Sequence, residues 1–326
     1  DDVRMEDLFS IRHPRFGIFF VFFCLAPLLS SAKDPWIIDP HTHFKGEAQI
    51  EIELAGAKAD PRNSLQQVVT PEDYRELADR LEIQSTLVVE AVDQDRPEFN
   101  EWVLAQGETS DLLCGYVARG DLTSSDFLKH YETFRKTGYL NGYRFRREEL
   151  NGYLSDETAR SHLKKLEEHG MVVDLLIDPS HAPDVIQLAR DYPKLSIVIN
   201  HCFRARMVDG TIDDAWKKAV KDCSAYPNVY MKISSILNFA GTKPYEEVAP
   251  SELEFYLPVL DPCFEAFGED RVIFATNWGV SAHFGEVDDV VRIVTEFLSS
   301  KGETALQKGM RENALRVYRI PEKHLR

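Results

Sequence analysis

Short apolar runs alternate with amphipathic stretches along most of this chain. Runs rich in β-branched and aromatic residues occupy 36–39, 85–90, 112–117, 139–145, 171–177, 195–200, 229–233 and 272–275. Each has the length and composition of a strand buried on both faces. Helix signals separate them. Thr70-Pro71-Glu72-Asp73 places a capping Thr, a Pro at the first helical position and an acid three residues on, which predicts a helix start. Ser124-Ser125-Asp126 opens another, with Phe127, Leu128, Tyr131 and Phe134 on one face, and Ser155-Asp156-Glu157 opens a third that closes at His169-Gly170. The segments 182–191, 213–225, 251–267 and 287–299 continue the alternation. Strands with intervening helices mean parallel βα units, and eight of them predict an α/β fold, a single-domain (β/α)8 TIM-type barrel. An open doubly wound sheet is the second reading, weakened because no Gly-rich phosphate loop follows the first run.

Three stretches break the rhythm. Residues 45–69 form a long insertion after the first strand, with an alternating patch at Ile50-Glu51-Ile52-Glu53-Leu54. A long loop after a barrel strand covers the mouth, so this is a candidate lid. Long connections at 203–210 and 237–250 follow strands six and seven.

The chain has 326 residues, 44% hydrophobic and 28% charged, with a formal net charge of −16. That acidity argues against nucleic acid and anionic membranes as partners. It leaves a small-molecule substrate as the expected partner and a homo-oligomer open. The N-terminus reads as a secretory leader. Met5 is a candidate initiator, and Arg12, His13 and Arg15 form a basic region. An apolar run at 18–29 is short for a bilayer span, and Ser30-Ser31-Ala32 offers a cleavage site. The expected organisation is a leader over 1–32 and a barrel over 33–326, in an exported, periplasmic or secreted protein. An uncleaved anchor is the alternative. Cleavage would remove Cys24. Cys114, Cys202, Cys223 and Cys263 remain, with no C-x-x-C pair, so buried thiols or one or two disulfides are both open.

Chemistry in such a barrel gathers where strands end. The first strand runs into Asp39-Pro40-His41-Thr42-His43. Alternate residues of a strand point the same way, so His41 and His43 can aim at one spot, suited to a divalent metal or to polarising a substrate oxygen. The other strand ends contribute Glu90, Arg119, Asp121, Arg144, Arg146, Asp178, Asn200, His201, Lys232, Ser234, Thr276, Asn277 and Trp278. Arg144 and Arg146 alternate about Phe145. Facing inward they bind substrate carboxylate or hydroxyl groups, or else form a buried ion pair with Glu90 or Asp39. His181 either opens the helix after strand five behind Ser180 or serves as a third metal ligand. His162 and His169 fall on a helix and are expected at the surface.

The ordered set Asp39-Pro40-His41-Thr42-His43, Gly142-Tyr143-Arg144, Val198-Ile199-Asn200-His201, Tyr230-Met231-Lys232-Ile233-Ser234 and Arg271-Val272-Ile273-Phe274-Ala275-Thr276-Asn277-Trp278, with a closing Glu312-Asn313-Ala314-Leu315-Arg316-Val317-Tyr318, resembles the amidohydrolase superfamily. The resemblance is to the amidohydrolase-2 barrels that include fuconolactonase-like sugar-acid lactonases. It implies a hydrolase that opens a lactone or cyclic ester with an activated water. His41 and His43 would hold one divalent metal, zinc or manganese, or polarise the carbonyl directly, since that branch includes metal-independent members. His201 would orient substrate or stabilise the oxyanion, and Arg144, Arg146, Lys232 and Trp278 would bind substrate. At strand eight the resemblance calls for an Asp as proton acceptor, and this chain has Asn277. A neutral amide cannot be a general base, so the base passes to Glu90 or His201. A non-catalytic carbohydrate- or organic-acid-binding barrel and a metal-dependent decarboxylase are the alternatives.

Overall fold

The computed structural model describes residues 36–91 and 96–326; the expected leader over 1–32 lies outside the described residues. Eight strands form: β1 (Ile37–Thr42), β2 (Ile83–Val89), β3 (Leu113–Ala118), β4 (Leu140–Arg146), β5 (Val172–Leu176), β6 (Ser196–Ile199), β7 (Val229–Ile233) and β8 (Val272–Phe274). They pair in chain order, every pair parallel. A parallel bridge between Thr42 and Trp278 brings the end of the sheet back to its beginning. Asp39 reinforces that seam. It accepts from the Thr276 amide at 2.9 Å, the Thr276 hydroxyl at 2.5 Å and the Tyr74 hydroxyl at 2.7 Å.

Helices cover the outside because each strand is buried on both faces. Pro71–Arg80 starts where the capping signal places it, with Asp73 accepting from the Thr70 amide at 2.8 Å. Two helices lie where the sequence marks one. Arg147–Ser155 ends as Asp156 caps Glu157–Glu168, accepting from the Ala159 amide at 2.8 Å. The patch at Ile50–Leu54 belongs to a helix, Glu47–Leu54, and not to a strand. Lys45 anchors that insertion: its ammonium is buried, pairs with Glu53 and donates to the Leu65 carbonyl at 2.8 Å, while its backbone bridges Val69. All four described cysteines are buried free thiols.

The barrel interior is stacked in layers. Ile38, Val172, Val198 and Ile273 pack with Ala314, Val317 and Ile320 of the C-terminal segment, which plugs the end where the strands begin. Two residues further along β5, β6 and β7, the period of a strand replaces Val172, Val198 and Tyr230 with Asp174, Asn200 and Lys232. This second layer is polar and fully buried. Asp174 accepts from Lys232 Nζ at 2.7 Å, Asn200 Nδ2 at 3.0 Å and the Tyr318 hydroxyl at 2.7 Å.

Candidate active site

The third layer, at the strands' C-terminal ends, carries the histidines. The H-x-H of β1 aims both rings inward, with centroids 5.0 Å apart, and the His201 ring lies 4.6 Å from His41. Above them opens a cavity of about 520 Å³. Its floor is His43, Arg144, His201 and Asn277; its walls come from the loops after β6 and β7, and Leu65 of the insertion reaches it. Ser64 fixes that reach by donating to the Gly279 carbonyl at 2.7 Å.

Backbone strain concentrates here. His201–Arg204 is a single left-handed turn, with φ of 56°, 46°, 57° and 50° in sequence order. Ser235 and Asn277 also lie at positive φ, 56° and 54°. Left-handed residues other than Gly cost roughly 1–2 kcal/mol each, so packing must hold them, and such outliers gather at functional sites. Trp216 Nε1 donates to the Cys202 carbonyl at 2.9 Å, and Ser234 Oγ pairs with His201 Nδ1 at 2.8 Å. Both contacts clamp the turn.

The hydrogen bonds assign the protons. Val89 carbonyl takes the Nδ1–H of His43 at 2.9 Å, which leaves a lone pair on Nε2. Asn277 spends its Nδ2 on Ser235 Oγ at 2.9 Å and turns Oδ1 to that Nε2 at 3.2 Å. Two acceptors therefore face each other in the floor. His41 is wedged between cations, with Lys232 Nζ 3.4 Å from Nδ1 and Arg144 Nη1 3.4 Å from Nε2. Burial, then these cations, holds His41 and His201 neutral well below the ordinary imidazole range, and burial with Arg144 lowers His43 to about 4.

A consequence is pH-dependent stability. Below the usual 6.5 the unfolded chain binds protons that these buried rings refuse, so stability falls as pH drops from 6.5 toward 4, by roughly 3 kcal/mol from His43 alone. Thermal unfolding between pH 7 and 4 checks this. A melting temperature that is flat over that range contradicts it.

Other expected site residues take different places. Glu90 is fully buried, and its carboxylate accepts from Arg144 Nε at 2.7 Å and Arg146 Nη2 at 3.2 Å, while its carbonyl accepts from Arg144 Nη2 at 2.9 Å. These guanidiniums hold its carboxyl below the usual range despite burial. It is locked in ion pairs and positions Arg144, which does not suit it to take a proton from water. Arg146 is held by Glu90 and lies off the cavity, and Lys232 lies one layer below it. Trp278 packs against Tyr74 and Phe44, at ring distances of 4.9 and 6.1 Å. His181 closes a short 3₁₀ turn beside Ser180, away from the cavity lining. His162 is buried and bonds the Leu122 carbonyl at 2.8 Å, because the helix turns that face to the barrel. Sequence reasoning missed Arg204, Arg206, Asn238 and Thr242, which line the cavity from the irregular loops.

Glu90→Gln keeps the shape and removes the charge that aligns Arg144. It is expected to lower the melting temperature by several degrees and to raise KM for substrate more than it lowers kcat. Calorimetry and steady-state kinetics check both. An unchanged KM would place Arg144 away from substrate.

A divalent cation does not fit the donors present. Among the described residues no three His, Cys, Asp or Glu converge where a metal would be held, and no Asp or Glu lines the cavity. The ring nitrogens of His41 already face an ammonium and a guanidinium.

A histidine-floored cavity at the C-terminal mouth of a (β/α)8 barrel places this protein among the barrel enzymes. The chain belongs to the amidohydrolase family, whose model matches residues 38–320. It is 26% identical over 254 residues to an L-fucono-1,5-lactonase of Burkholderia ambifaria, spanning 76% of this chain and 83% of that one. It is 28% identical over 142 residues to an L-rhamnono-gamma-lactonase of Scheffersomyces stipitis, spanning 40% of this chain and 42% of that one. A solved amidohydrolase of Burkholderia multivorans with bound zinc shares the fold, with a TM-score of 0.75 at 20% identity, covering 87% of this chain and 99% of that one.

Proposed function

We propose that this protein hydrolyses a lactone of a sugar acid. Its family and the lactonases among its relatives support the reaction class. The observation that carries the mechanism is the acceptor pair His43 Nε2 and Asn277 Oδ1, 3.2 Å apart. At neutral pH His43 carries no proton on Nε2, so the two lone pairs call for a shared donor, and a water supplies one proton to each. The water is thereby held with an oxygen lone pair toward the cavity. It attacks the lactone carbonyl as His43 takes its proton. The oxyanion meets Arg144 and an Nε2–H of His201. Ser234 can serve either tautomer of His201, because its hydroxyl donates or accepts at Nδ1. Collapse breaks the ring carbon–oxygen bond, and His43 returns the proton to the leaving oxygen. Asn277 thus orients the nucleophile and leaves the base role to His43. The same donor set disfavours a decarboxylase that needs a firm metal site.

The test is proton release from a panel of sugar-acid lactones, with chelator and with added zinc or manganese. Hydrolysis of at least one lactone that persists in chelator is expected. No hydrolysis of any lactone would overturn the proposal.

A further inference from the structure

The chain carries 54 acidic and 38 basic residues, yet the charged side chains lining its cavity, among the described residues, are three arginines, Arg144, Arg204 and Arg206. An aldonolactone ring is neutral and gives three guanidiniums little to bind. Arg144 is committed at the floor to Glu90. The other two stand nearer the rim. Arg204 is 40% exposed and shares Asp178 at 3.2 Å with Arg147. Arg206 is exposed, with no ion-pair partner among the described residues.

Both come from the strained segment after β6. Residues i and i+3 of a helical turn lie on one side, whichever its hand, so the left-handed turn sets His201 and Arg204 on the same wall, and Arg206 follows two residues on. A strained backbone that carries a site histidine and a rim arginine together is the arrangement needed when one ligand touches both. Beside them, Asn238 and Thr242 line the cavity from the loop after β7, which is tied to this segment where the Met207 amide donates to the Phe239 carbonyl at 3.0 Å. Asn238 Oδ1 and Thr242 Oγ1 are buried, with no hydrogen-bond partner among the described residues. Such groups cost stability until a water or a ligand satisfies them.

The geometry points to a substrate that is both hydroxylated and anionic: the monolactone of a dicarboxylic sugar acid. This rests on the proposed lactonase reaction and names its substrate class. The lactone carbonyl occupies the floor at Arg144 and His201. The distal carboxylate reaches Arg204 and Arg206. Ring hydroxyls meet the Asn238 and Thr242 side chains, which turn Oδ1 and Oγ1 into the cavity to bond them. The basic rim also draws an anion into a protein whose net charge of −16 otherwise repels it.

The experiment compares two six-carbon lactones of the same ring size and configuration, one aldonic and neutral, one aldaric with a free C6 carboxylate. In parallel, their ring-opened acids are titrated by calorimetry. The aldaric lactone is expected to show a kcat/KM at least about tenfold higher, mostly through KM, and aldarate is expected to bind more tightly than aldonate. The Arg204→Gln/Arg206→Gln double variant should shrink that preference about tenfold, and the preference should weaken with added salt. Equal or better use of the neutral lactone, or loss of the same factor for both lactones in the variant, overturns the inference and leaves the lactonase reading intact. If neither lactone is hydrolysed, the reaction falls, and the titrations still decide whether the cavity selects a second carboxylate.

Discussion

Asp174→Ala should destabilise the protein by about 3–5 kcal/mol, the cost of leaving a buried charge without its partner. Among the described residues Asp174 is the only carboxylate bonded to the fully buried Lys232, and it also accepts from Asn200 and Tyr318. Its removal leaves the ammonium, among the described residues, with the Pro40 carbonyl at 3.0 Å, the 3.4 Å contact to His41 and the Tyr318 ring 5.0 Å away. Two donors lose their acceptor as well. Burial already lowers the Lys232 pKa, against the pull of Asp174, so the variant relaxes by releasing that proton. Its remaining stability should therefore rise with pH: the folded ammonium gives up its proton before the unfolded one does. Asp174→Ala/Lys232→Met removes both charges and should recover much of the loss. Urea unfolding across pH 6–9 separates these outcomes. A single variant that unfolds at the parental midpoint would show that the layer beneath the site is not held by this pair.

That polar layer also explains what could be read in advance. Alternation of β-branched runs with amphipathic stretches is a local property, and all eight strands and the barrel follow from it. The capping signal at Thr70 and the inward aim of His41 and His43 follow from equally local rules. What failed is non-local. Lys232 and Trp278 stand at strand ends, yet one is consumed by Asp174 below the cavity and the other by Tyr74 and Phe44. Glu90 and Arg146 are taken up in one ion-pair cluster with Arg144, the buried ion pair that the sequence leaves open beside substrate binding. His162 reads as a surface residue because a helix pattern does not say which loop carbonyl will meet it. Arg204 and Arg206 leave no mark in the sequence because a left-handed turn of His, Cys, Phe and Arg has no composition signal. Gly would have announced it, and these residues are forced into it by packing.

Replacing His43 with Gln is expected to lower kcat for lactone opening by about 10²–10⁴, the usual contribution of a general base. The more discriminating result is the pH profile. In the parent, kcat/KM should be flat around neutrality and fall only as His43 protonates near pH 4. In the Gln variant that acidic limb should vanish. Substitutions at Asn277 should move the limb in opposite directions. Asn277 Oδ1 accepts from the protonated ring and so raises the His43 pKa, which means that Asn277→Leu should shift the limb to lower pH while lowering the rate through loss of the second water acceptor. Asn277→Asp places a carboxylate 3.2 Å from Nε2 and should shift the limb upward, toward or beyond the ordinary imidazole value. A purely structural role for the pair would change stability and leave the limb in place. An Asn277 amide turned end for end would donate to Nε2 and fill the water's position, and Asn277→Leu would then raise the rate. That increase, or an acidic limb that ignores both substitutions, would remove His43 as the base and leave His201 as the group to examine.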